Sequence, residues 1–160
     1  MLIRPFAAQD EQPLLDLTLE TFEPFYEGSF RPLMGEAIFA VQHADWREEY
    51  TRTVPGLHEP AAGKYVDVAE IEGAVAGYIS WEVNASRGHG TISILAVSPG
   101  HRRSQVGRHL CEHAMGRMKD LGAKIVEIGT GGDPFHAPAR ALYESLGCRE
   151  IPVSVYFKEL

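Results

Sequence analysis

The sequence is short of cysteine, with two, Cys111 and Cys148, in 160 residues. Neither belongs to a Cys-x-x-Cys pair or a Cys/His finger, so a disulfide scaffold is excluded and a reducing cytoplasm is the expected compartment. A run of about 18 apolar residues is also missing, which excludes a transmembrane helix. Residues 1–10 lack an apolar stretch behind a basic end, so no signal peptide is expected. Positive charge is not in excess: Lys and Arg number 15 against 22 Asp and Glu, a net charge of −7 with histidine neutral. A nucleic-acid binder normally carries a basic field that displaces counterions from phosphates. Neither nucleic acid nor a membrane is therefore an expected partner, and an anionic ligand must be held by local positive features. Hydrophobic residues make up 44 % and charged residues 23 %, enough apolar surface to offset the entropy of ordering the chain. One compact domain over 1–160 is expected.

Leu2 to Phe6 alternates and reads as an edge strand closed by Pro5. Helical spacing follows Asp10 through Leu14, Leu15, Leu17 and Leu19, then an aromatic loop over 25–31, then one helix from Gly35 through Tyr50. After a Pro/Gly loop the period changes. Lys64–Glu70 and Ala74–Val83 read as strands joined by a Glu72-Gly73 turn, and Thr91–Val97 as a third. Val106–Leu121 is helical with Gly122 as its stop; Ala123–Ile128 is a strand; Ala137–Leu146 is a helix ended by Gly147. Cys148–Phe157 reads as one or two last strands broken at Pro152. The order β-α-α-β-β-β-α-β-α-β-β makes an α+β or α/β domain.

The chemistry concentrates where an apolar strand, Ile94 to Val97, stops at Pro99 and runs through His101-Arg102-Arg103-Ser104-Gln105 into a helix starting Val106-Gly107-Arg108. A helix's first amides have no internal partner and its N-terminal dipole is positive. With three arginines added, this is a site suited to a pyrophosphate.

This segment resembles motif A of the GCN5-related N-acetyltransferase (GNAT) family, Gln/Arg-x-x-Gly-x-Gly/Ala. Arg102 and Gly107 fit, and Gln105 stands in place of the first glycine. His136-Ala137-Pro138-Ala139-Arg140-Ala141-Leu142-Tyr143-Glu144-Ser145-Leu146-Gly147-Cys148 resembles motif B, Asn-x-x-Ala-x-x-x-Tyr-x-x-x-Gly-Phe. Ala139, Tyr143 and Gly147 fit, while His136 replaces the Asn and Cys148 the Phe. Together the two motifs and the element order span essentially the whole chain. The resemblance implies a mixed, mostly antiparallel sheet with a splayed parallel pair flanked by helices. It implies acetyl-CoA as co-substrate, no metal, and direct attack by an amine of a small molecule or peptide in a ternary complex. Backbone at Leu95, Ala96 and Val97 would hold the pantetheine arm and meet the oxyanion. Residues Arg102 to Arg108 (with Ser104, Gln105, Val106 and Gly107), His136 and Ala139 would complete the cofactor site, and Tyr143 would protonate the departing thiolate. A glycine at position 105 is expected to keep or improve CoA affinity at a small loss of stability. The alternative function is a non-catalytic acyl-CoA-binding or sensing module on the same fold. A homodimer is compatible with either.

The general base is not set by motif. Glu82 is the first candidate and His89 the second; Glu20, Glu23, Tyr26 and Glu27 lie where the family builds its acceptor pocket, free to hold a cationic amine or simply solvated. His109-Leu110-Cys111-Glu112-His113 has the spelling of an inverted zinc-protease motif. The apolar stripe Val106, Leu110, Ala114, Met118, Leu121, however, turns His109 and Glu112 away from the core. Gly129 to Gly132 looks like a methyltransferase glycine loop but comes too late in the chain for a doubly wound sheet.

Overall fold

The computed structural model describes residues 1–160. Five strands form one sheet in sequential order: β1 (Leu2–Pro5), β2 (Lys64–Ile71), β3 (Ala74–Asn84), β4 (His89–Val97) and β5 (Ile125–Ile128). The first three pairings are antiparallel and β4 with β5 is parallel. The β2–β3 hairpin closes through Glu72 (φ 52°) and Gly73 (φ 81°), both on the positive side that a two-residue turn between twisted strands requires.

Helices cover both faces. On one, α5 (Val106–Asp120) buries Val106, Leu110, Ala114 and Met118 against Ala69, Ile79, Trp81 and Ile92. On the other, Leu14 and Leu17 of α1 (Glu11–Glu23) join Val54, Val66, Val68, Tyr78 and Ala96. Gly77 lets α5 come close: a Cβ there would lie 2.8 Å from the Ala96 carbonyl and 3.1 Å from a Val106 methyl. Leu121 does not complete the apolar stripe, because the helix ends at Asp120 and leaves it 41 % exposed.

Three expectations are corrected. The aromatic stretch after α1 is not a loop but a wide helical turn, Pro24–Phe30, leading into α2 (Arg31–Met34). That turn joins residues five apart, so Phe25 and Phe30 stack with centroids 4.8 Å apart. The single helix expected over 35–50 is two, α3 (Glu36–Gln42) and α4 (Trp46–Thr53). His43 breaks the run by turning in among Tyr26, Phe30 and Phe39, and Trp46 is then buried. Beyond α6 (Ala137–Ser145), residues 148–160 form no strand. Pro152 has no N–H to give a ladder, and Ile151, Val153 and Val155 stand exposed beside no partner strand. β5 is accordingly an edge, and its Ile125 is 61 % exposed.

Candidate active site

The parallel pair separates partway along. Register runs from His89↔Ile125 to Ile92↔Ile128 and stops, while β3 stays paired with β4 out to Gly77↔Val97. The β4 ladder skips Ser93, a bulge between Ile92 and Ile94 that moves Ile92 to the α5 face and Ile94 to the α1 face. From Ser93 to Val97 the edge facing β5 therefore carries no strand, and a cleft opens there.

A cavity of about 180 Å³ occupies it, with Ser93, Ile94 and Leu95 of β4 on one wall, Ala139 and Tyr143 of α6 with His136 on the opposite one, and Phe22, Phe25 and Tyr50 closing the third side. His136, Ala139 and Tyr143 share a face because they lie three and seven residues apart on one helix and its cap. Tyr143 also packs against the α5 core cluster. Burial, then the neighbouring Cys111 and Cys148 thiols, push its hydroxyl up to about 12.

At the end of β4 the chain turns through Pro99–His101 into α5. The amides of Val106, Gly107 and Arg108 find no acceptor in the protein, the first helical bond being His109 N–H to the Gln105 carbonyl at 3.0 Å. These are the free donors an anion needs. Arg102 and Arg103 are exposed beside them, with Arg102 Nε 3.4 Å from the Val97 carbonyl. Ser104, also exposed, donates its hydroxyl to the His101 carbonyl. Val106 contributes only its amide, since its side chain is core. The side chain of Arg108 faces α6 instead of the loop, bonding Ser145 Oγ at 2.7 Å and Glu112 at 3.2 Å. Removing both exposed charges, Arg102→Ala with Arg103→Ala, is expected to weaken CoA about tenfold to a hundredfold, more at low salt. Unchanged affinity by calorimetry would rule the loop out.

Gln105 sits at φ 65°, in the left-handed region, as the residue capping α5. Here the structure reverses the expected small stability loss. The backbone already adopts the conformation a glycine takes without strain and a β-carbon-bearing residue takes at about 1 kcal/mol. Gln105→Gly is expected to raise stability by up to about 1 kcal/mol and to keep CoA affinity. A folded variant that loses CoA would show the Gln side chain to be a ligand contact.

Several expected residues do not come to the cleft. Glu82 is exposed on β3 between Lys64 and Thr91 and does not line the cavity. His89 lies at the start of β4, 3.1 Å from Glu127. Glu27 is tied to Arg31 (2.9 Å), Arg47 (3.4 Å) and the Trp46 indole N–H (3.0 Å), and the hydrogen bonds from Trp46 and Arg31 hold its carboxyl below the usual range. Glu23 pairs with Arg47 at 2.8 Å, Tyr26 stacks on Trp46 at 4.6 Å, and Glu20 lines a separate groove along α1. No free carboxylate lines the cavity. His109, Glu112 and His113 do not converge either: their partners are Gln105, Arg108 and Asp67. No group of three His, Cys, Asp or Glu is placed to share a metal ion. No helix is long and apolar enough to cross a membrane. The aromatic wall was missed from sequence; its signal was the density of rings in Phe22, Phe25, Tyr26 and Phe30.

A mixed sheet whose parallel partners splay apart, leaving a strand edge open with a helix N-terminus at its end, defines the α+β architecture of this protein. The chain belongs to the Acetyltransferase (GNAT) family, whose model matches residues 16–148. Among curated proteins none matches. Solved structures show the same fold. The aminoglycoside 6'-N-acetyltransferase AAC(6')-IG from Acinetobacter haemolyticus is 18 % identical with a TM-score of 0.67, covering 100 % of this chain and 99 % of its own. AAC(6')-Iy, in complex with the bisubstrate analogue CoA-S-monomethyl-acetylneamine, is 14 % identical at 0.69, covering 99 % and 97 %. Ribosomal-protein-alanine N-acetyltransferase from Brucella melitensis is 23 % identical at 0.65, covering 92 % and 83 %.

Proposed function

We propose that the protein is an acetyl-CoA-dependent N-acetyltransferase acting, as one unit over 1–160, on an amine whose neighbouring group is apolar or aromatic. The observation that carries this is the opening of β4 beyond Ile92, with Tyr143 facing it and free α5 amides at its end. Backbone from Leu95 to Val97 offers an edge along which a pantetheine arm can pair, and an amide there can meet the developing oxyanion. The amides of Val106, Gly107 and Arg108, with Arg102 and Arg103, suit a pyrophosphate. Tyr143 is placed to serve the departing sulfur.

The acceptor class follows from the third wall. Phe22, Phe25 and Tyr50 supply apolar surface and no free anion, which favours an amine with an aryl or alkyl substituent over a polycation. A small molecule and a peptide N-terminus with such a side chain both meet that description. Two unbridged thiols, Cys111 and Cys148, favour a reducing cytoplasm as the compartment. The test is incubation with acetyl-CoA and a panel of aryl-alkyl, alkyl and polycationic amines, following free thiol. Turnover greatest with aryl-alkyl amines is expected; tight CoA binding without turnover on any amine would favour a binding module.

A further inference from the structure

The loop between β5 and α6 is organised round a pair of side chains. His136 Nδ1 lies 2.6 Å from Asp133 Oδ2, and the side chains are 15 % and 7 % exposed. An ionised carboxylate can only accept, so Nδ1 donates, and the second nitrogen of the neutral ring, Nε2, keeps its lone pair. Burial pushes the Asp133 carboxyl up. The hydrogen bond from His136, with the backbone amides of Asp133 and Phe135, outweighs burial and holds it below the usual range. The backbone is shaped to admit the pair: a Cβ at Gly131 would collide with Asp133 Oδ2 and His136 Nδ1. Arg140 braces the loop by donating to the carbonyls of Gly131 and Asp133.

With its donor spent on Asp133, a neutral His136 has no second N–H to give the cavity. What it offers the cavity is an acceptor. It is also the cavity's sole imidazole, and no carboxylate lines the wall. The other titratable or charged groups around it are Asp133 and Arg140 at its own end of α6, Tyr143 farther along, and Tyr50 from α4.

We propose that His136, oriented by Asp133, is the catalytic base of the acetyl transfer, a role that rests on the acetyltransferase reading above. As the amine nitrogen bonds to the acyl carbon, its proton passes to Nε2. The C–S bond breaks with its electron pair on sulfur, to which Tyr143 donates a hydrogen bond; the thiolate takes a proton from solvent on release, and His136 returns its proton to solvent.

The test is His136→Asn, which restores the motif residue, with phenethylamine as acceptor and a calorimetric CoA titration alongside. Expected is a fall in kcat of about 10²–10³-fold near pH 7, shrinking as pH approaches the amine's own pKa, with the CoA dissociation constant unchanged. Asp133→Asn should show the same pH signature with a smaller loss. Wild-type kcat in His136→Asn, or weakened CoA with a loss equal at every pH, would make His136 a CoA contact and overturn the proposal. The tautomer is read without turnover by ¹⁵N NMR of the His136 ring: a proton on Nδ1 is expected, and a proton on Nε2 instead overturns the base. Wild-type protein inert toward the whole amine panel would sink the acetyltransferase reading itself, an outcome distinct from a variant matching an active wild type.

Discussion

Tyr143→Phe is expected to lower kcat for acetyl transfer by about a hundredfold, the low end of the ~10²–10⁴-fold typical of a lost general acid, with CoA affinity unchanged. The ring stays packed in the α5 core cluster beside Leu142 and Leu146, so only the phenolic O–H is lost. Burial, joined by Cys111 and Cys148, pushes that hydroxyl up to about 12, whereas a free thiol titrates near ~8.5. Complete transfer of the phenolic proton to a finished thiolate is therefore uphill. On the proposed mechanism Tyr143 would therefore work chiefly by donating a hydrogen bond as negative charge grows on sulfur, with the thiolate collecting a proton on release. That division of labour sets the low end of the range. The measurement is kcat by thiol release where chemistry limits the rate, together with the CoA dissociation constant. Wild-type kcat in the Phe variant would leave Tyr143 with packing alone.

The strands were legible because alternation and turn residues agree. Lys64–Glu70 and Ala74–Val83 flank a Glu72-Gly73 pair whose positive φ angles the hairpin uses. The turn from β4 into α5 was legible because strand, basic turn and helix start are contiguous in sequence. What escaped depends on geometry that spacing does not encode. Phe25 and Phe30 stack only because the helix widens between them, and ordinary 3.6-residue spacing would part them. Asp133 was passed over although it lies three residues before His136. Their contact needs a backbone at Gly131 with no side chain beneath it. Apolar alternation at Ile151, Val153, Val155 and Phe157 suggested a strand, yet a strand exists only where a second edge lies alongside, and none does there. Glu82 drew attention as a carboxylate near a strand end. The cleft opens instead where β4 parts from β5, beyond the register that Glu82 shares with Thr91.

A larger effect on stability is expected from the buried network between β2, β3 and α5. Asp67 of β2 is fully buried and accepts from the Trp81 indole N–H at 2.8 Å and from Arg117 of α5 at 3.1 Å. The Arg117 guanidinium lies over the stacked Tyr65 and Trp81 rings, 5.5 Å and 5.3 Å from their centroids. His113 Nε2 sits 3.6 Å from the same carboxylate, beyond hydrogen-bond reach, and has no other partner. Asp67→Ala would strand the Trp81 N–H in a site from which water is excluded and remove the counter-charge of Arg117. Breaking a buried charge pair from one side typically costs about 3–5 kcal/mol. Arg117 is 37 % exposed and can turn partly to water, so the low end, about 3 kcal/mol, is expected. At this length that is a fall in Tm of roughly 6–12 °C. Asp67→Asn keeps an acceptor oxygen for Trp81 and should lose less, while Asp67→Leu with Trp81→Phe removes donor and acceptor together and should recover part of the loss. Because none of these residues lines the cavity, the folded fraction should keep its CoA affinity. Thermal and urea denaturation measure the first effect and calorimetry the second; an Asp67→Ala protein within about 1 kcal/mol of wild type would mean that the buried network adds nothing net, the outcome known for some buried ion pairs.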